Sequence, residues 1–88
     1  MKFESVIEKN YKEKCEIVNK YCKEENLSDK VVDRVKYIIM SAYTYAYTDN
    51  FKNIFYKNMK VYESRLIHKG DMKLANKIKE LRKLILEY

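Results

Sequence analysis

Apolar residues recur along this chain at intervals of three and four, the spacing of a helix with one buried face. Phe3, Ile7, Tyr11, Cys15, Val18 and Cys22 form the first stripe, with Lys9, Lys12, Glu13, Glu16, Lys20 and Lys23 mostly opposite it. This predicts a helix from about Lys2 to Glu24. Ser28 is the expected N-cap of the next helix, its hydroxyl available to an orphan backbone N–H, with Asp29 in the first turn and Leu27 and Val32 at the staple positions. That helix should run from Asp29 to about Thr48 and bury Val31, Val35, Ile38, Ile39, Ala42 and Ala46. No charged residue lies between Tyr37 and Thr48, so it should be the most enclosed of the set.

Thr48-Asp49-Asn50 is the next candidate break, with Asp49 as cap. Neither glycine nor proline marks it, which leaves a continuous second and third helix as the competing reading. Phe51, Ile54, Phe55, Met59, Tyr62 and Leu66 make the apolar face of a helix to about Lys69. Gly70 suits the left-handed position that commonly follows a helix, and Asp71 can cap a fourth segment from Met72 to about Glu87. Leu74, Ile78, Leu81, Ile85 and Tyr88 form its narrow stripe.

Residues 1–88 therefore read as one domain, an all-α antiparallel bundle of four helices joined by short connections. Val35, Ile38, Ile39, Ala42, Ile54, Phe55, Leu66, Leu74, Ile78 and Leu81 are its expected core. Composition supports the class. The chain has one glycine and no proline, too few turn formers for a multi-stranded sheet or a glycine-rich phosphate loop. No uncharged run approaches the roughly 20 residues that span a bilayer, and the N-terminus lacks the apolar stretch of a secretory signal. A soluble, cytoplasmic domain with no membrane partner is the expectation.

Little in the sequence assembles chemistry. Cys15 and Cys22 lie seven residues apart on one helix, roughly 10 Å along its axis, too far for a disulfide. They read as small core hydrophobes. The single histidine, His68, has no histidine partner, and the cysteine spacing is not that of a zinc site. Cys15 or Cys22 would have to recruit His68 from an opposite part of the chain to act as a nucleophile. No catalytic, cofactor or metal site is expected, and the protein should not be an enzyme.

Charge and aromatics point toward binding. The 19 Lys and Arg outnumber the 13 Asp and Glu, for a net +6. Residues 1–48 hold nine bases and eight acids, residues 49–88 ten and five, so an acidic partner would meet the C-terminal half. Only three of the bases are arginines, Arg34, Arg65 and Arg82, which argues against recognition of base edges by bidentate geometry. Nine tyrosines are the most distinctive feature. Tyr43, Tyr45 and Tyr47 point roughly 160° apart at successive steps, so one helix face cannot bury all three. Either several helices surround them or some, Tyr43 and Tyr47 in particular, await a partner. On the third helix Lys52, Tyr56 and Lys60 stack at i, i+4 with Lys57 beside them, a pattern that suits either a solvated face or phosphates and a stacked base. Leu84 and Leu86 flank Ile85 and cannot share its core face, which suggests a protein partner or a second copy at the C-terminal helix.

Arg34 to Thr44, RVKYIIMSAYT, resembles part of the class IIa bacteriocin immunity proteins, short lysine-rich cytoplasmic four-helix bundles that protect a producing cell. The resemblance covers a few turns of one helix, and the chain departs from those proteins in lacking the extended C-terminal tail with which they recognise their target. Small phage-encoded inhibitors, anti-CRISPR proteins among them, are similar in size and helical content. The functional expectation is a small non-enzymatic protein-binding module, an inhibitor or immunity-type regulator. Its candidate contacts are Tyr43, Tyr47, Lys52, Tyr56, Lys57, Lys60, Leu84 and Leu86. The alternative is a nucleic-acid-binding protein that uses the lysines and Tyr56 of the third helix.

Overall fold

In a computed structural model the chain is described at the backbone for residues 2–45 and 50–87, and at the side chains for 9–44 and 50–87. Four helices follow one another, α1 (Lys2–Glu24), α2 (Asp29–Tyr45), α3 (Phe51–His68) and α4 (Met72–Glu87). The described residues hold no strand. Each helix packs on the next, and α1 and α4 close the ring through the sparsest seam. Because α2 and α3 lie side by side, they are two helices and not one. The α1–α2 and α3–α4 turns share one end, where Lys77 Nζ meets Glu25 Oε1 at 2.5 Å. The topology is the antiparallel up-down bundle that the four amphipathic segments predict.

Backbone chemistry sets the two turns at that end. Gly70 takes φ 89°, its N–H bonds Ile67 O and the Asp71 N–H bonds Leu66 O, each at 2.9 Å. That pair of bonds is a Schellman motif, and it satisfies carbonyls the ending helix would otherwise orphan. Asp71 then caps α4, its Oδ1 accepting the Leu74 N–H at 3.2 Å. The α1 end repeats the device with Asn26 at φ 60°, the Asn26 N–H on Lys23 O and the Leu27 N–H on Cys22 O. Asparagine tolerates this conformation because its short polar side chain compensates locally. Leu27 and Val32 both pack against the core at the start of α2, as a staple would. The proposed Asp49 cap lies outside the described residues. Asn50, the residue that directly precedes α3, makes no side-chain cap bond.

The core runs the length of the bundle and contains Val18, Cys22, Val35, Ile39, Ala42, Phe55, Met59, Ile78, Leu81 and Ile85. Ile54 and Leu74, expected inside, are only half-buried and pack at its edge, because the faces of α3 and α4 are narrower than their apolar stripes. Cys15 and Cys22 are buried free thiols. Phe3, Ile7, Tyr47 and Tyr88 carry side chains outside the described residues. Among the described residues no helix is long and apolar enough to cross a membrane.

Candidate functional site

The sequence-derived contact residues separate into several places. Tyr43 turns inward, half-buried, and stacks on Phe51 with ring centroids 4.2 Å apart; Phe51 in turn stacks on Phe55 at 5.5 Å. Burial pushes its phenol pKa up. Lys14 Nζ sits 5.9 Å from the Tyr43 centroid and 5.3 Å from that of Phe51, and burial lowers its ammonium pKa, with neighbouring Lys52 adding to the fall. Leu86 is also half-buried against the core. Several helices surround this end of α2, which answers for Tyr43 the choice the sequence left open. Tyr47 lies outside the described residues.

On α3, Lys52, Lys57 and Lys60 are exposed. Tyr56 is exposed as well, but the Arg82 guanidinium lies 4.8 Å from its ring centroid, which occupies one π-face. Leu84 is exposed on the opposite side of the bundle, beside α1. These residues do not converge on one site.

A different set does converge. The groove between α2 and α3 is lined by Arg34, Tyr37 and Ser41 from one helix and Asn58, Val61 and Arg65 from the other. Both triplets are spaced at i, i+3, i+7, one stripe of each helix. The antiparallel packing brings Arg34 and Arg65 toward the same end. Tyr37 is 69% exposed, the highest value among the large apolar side chains of the described residues, and Val61 across the groove and Met40 one turn along α2 are exposed at 49% and 47%. The Arg34 guanidinium lies 5.6 Å from the centroid of Tyr62, whose ring closes the floor of the groove. Burial raises the Tyr62 phenol pKa and the Arg34 charge opposes that rise.

The charge of this face follows from where the acids went. Glu63, the one acid of α3, is buried against Arg82. The solvent side of α3 therefore presents Lys52, Lys57, Lys60, Arg65 and His68 with no exposed carboxylate among them. The acids of α2, Asp29 and Asp33, occupy its first two turns. Val61 and Ser64 lie in a shallow depression rimmed by Lys60, Arg65, His68 and Lys69, which continues the cationic surface toward the end of the helix.

The sequence-derived candidates include neither Met40 and Val61 nor Arg34 and Arg65, and Tyr37 enters there only in the general crowd of tyrosines. A signal was present: Asp33, Tyr37, Met40 and Thr44 form a stripe opposite Val31, Val35, Ile38 and Ala42. Two large apolar side chains on a helix's polar stripe mark an exposed patch.

Among the described residues no group of three His, Cys, Asp or Glu is placed to hold a metal ion. Burial raises the Cys22 thiol pKa, so this sulfur is held as the weakly reactive thiol. Comparison with known protein families, with curated proteins and with solved structures gives no significant match, so the likeness of residues 34–44 to immunity proteins carries no family assignment.

Proposed function

We propose that this chain is a non-enzymatic protein-binding module that works in the cytoplasm, of the inhibitor or immunity type, and masks a partly apolar, acidic surface of its target with the α2–α3 face. One observation carries the reading: Tyr37 and Val61 stand exposed in one groove beside Arg34 and Arg65, with Met40 exposed one turn beyond Tyr37 on α2. Tyrosine and arginine are the residues that dominate binding energy at protein interfaces, and methionine is enriched there. The cations beside the patch set the sign of the partner, since opposite potentials steer encounter and fix register. Helix faces on a packed bundle also offer a preorganised surface, which lowers the ordering cost of association.

The test is capture of the target at high salt from the organism that encodes the chain, with a photo-crosslinker placed at Tyr37. A crosslink to one acidic protein, lost in Arg34→Glu/Arg65→Glu and retained in Lys52→Glu, supports the face. Equal capture by the double variant sinks it.

A second reading rests on the wholly cationic solvent side of α3. Lys57, Lys60, Arg65 and Lys69 could neutralise phosphates along a nucleic acid. The covering of one face of Tyr56 by Arg82 counts against base stacking there.

A further inference from the structure

The α1–α4 seam differs in character from the α2–α3 face. Its groove is lined by Ile17, Lys20, Tyr21, Glu24, Leu84 and Glu87. The floor is apolar and fixed in place: Ile17 is half-buried, Leu84 is 45% exposed, and the buried Tyr21 ring is anchored by its hydroxyl, which donates to Glu80 Oε1 at 2.7 Å. The rim carries both signs, with Lys20 and Glu24 on α1 and Glu87 on α4. Among the described residues none of these three makes an ion pair within the chain.

From this arrangement we infer that the α1–α4 face binds the same face of a second copy, forming a two-fold dimer. A rim of mixed sign suits no partner of uniform charge, but it is complementary to itself. In an isologous contact residue i meets j and j meets i. A two-fold axis along the seam lays α1 of one copy over α4 of the other. Leu84 of each copy then covers Ile17 of the other, and Lys20 meets Glu87 twice. The α2–α3 face cannot serve this way, because a second copy there would set Arg34 and Arg65 against their own kind. Dimerisation through α1–α4 turns the two α2–α3 faces outward on opposite sides. If those faces bind a target, the dimer is bivalent and gains avidity on a repetitive or dimeric partner. The dimer itself does not depend on that reading.

Sedimentation equilibrium of the full chain tests the inference. A concentration-dependent monomer–dimer equilibrium is expected, and Leu84→Lys raises its dissociation constant by roughly tenfold or more, as loss of a central apolar contact does. Val61→Lys on the other face leaves it unchanged. Lys20→Glu and Glu87→Lys each weaken self-association, while an equimolar mixture of the two recovers it as a heterodimer with both rim pairs restored. Circular dichroism checks that each variant stays helical. Should Leu84→Lys lose its fold, dilution of the unaltered chain followed by amide chemical shifts gives the same answer, with changes confined to Ile17, Lys20, Leu84 and their neighbours. A chain that remains monomeric at about 1 mM overturns the proposal. So does a dimer that survives Leu84→Lys but falls to Val61→Lys, or a mixture that recovers nothing.

Discussion

Glu63 and Arg82 face each other across the α3–α4 seam, Nε donating to Oε2 at 2.7 Å, with both side chains only 7% exposed. Two charges taken this far from water are held by their mutual hydrogen bond, and Arg82 also rests against the Tyr56 ring. Such a pair is expensive to break, because the surviving charge keeps its desolvation cost and loses its partner. It also removes the only acid of α3 from the surface, and so makes that helix's solvent side uniformly cationic.

Removing one partner should therefore cost far more than removing both. Glu63→Leu or Arg82→Met alone is expected to lower unfolding free energy by about 3–5 kcal/mol, and the double variant by much less, since apolar replacement of a buried pair is often neutral. Urea denaturation of the four chains closes the cycle. Single-variant losses below about 1 kcal/mol would mean that the pair behaves as an ordinary surface salt bridge.

The two left-handed helix ends make a second prediction. A Cβ at Gly70 meets nothing within 4 Å, so Gly70→Ala isolates the conformational cost of φ 89°. That cost should be about 1–2 kcal/mol. Asn26→Gly, at the matching position of α1, relieves the same strain and should leave stability unchanged or raise it. Thermal melts of both variants check the opposite signs; a Gly70→Ala protein as stable as its parent would refute the argument.

Much of the fold was legible because each helix announces itself locally. Three-and-four spacing, Ser28 with its staple, and Gly70 followed by Asp71 are all readable without knowing what packs on what. The candidate site was far less legible. Tyr43 looked available because helix geometry sends Tyr43 and Tyr45 apart, yet the side of α2 that holds Tyr43 is covered by Phe51, a contact 8 residues away that no periodicity reveals. Leu86 is likewise half-buried against the core, which its place beside Ile85 did not show. Val61 and Arg65 came to share a groove with Arg34 and Tyr37 only once α3 had packed beside α2. Local pattern specifies which residues can be buried; pairing of helices decides which surfaces are left.

Alkaline pH should unfold the protein. Tyr11, Tyr21, Tyr43 and Tyr62 all have phenol pKa values raised above the ordinary 10, chiefly by burial, and for Tyr21 also by its hydrogen bond to Glu80. A raised folded-state value means the unfolded chain releases these protons first, so stability is fully present below about pH 10 and falls as pH rises through the folded values. Tyr21, the one buried ring of the four, should contribute most, with a slope of up to about 1.4 kcal/mol per pH unit in that window. Tyr21→Phe should make the fall shallower. Urea midpoints measured upward from pH 9, with tyrosinate absorbance followed alongside, decide it; a flat stability profile above the ordinary tyrosine pKa would contradict the burial of these phenols.

Salt dependence separates the two functional readings. If α3 tracked a phosphate backbone through Lys52, Lys57 and Lys60, log K against log salt would fall with a slope near −3, about −0.9 for each contact on duplex DNA. Replacing all three with Gln should then flatten the line without melting the helix, because Gln is also a good helix former. A protein contact built on Tyr37, Met40 and Val61 behaves differently. Its apolar part is insensitive to salt, and the arginines on its rim change the association rate more than the lifetime of the complex. The expected result is weak nucleic-acid binding at low ionic strength that vanishes near 0.15 M, where the Debye length is about 8 Å, beside target capture that persists there. Tight nucleic-acid binding at that ionic strength, abolished by the triple Gln variant and untouched by Tyr37→Ala, would move the function from the α2–α3 groove to the outer face of α3.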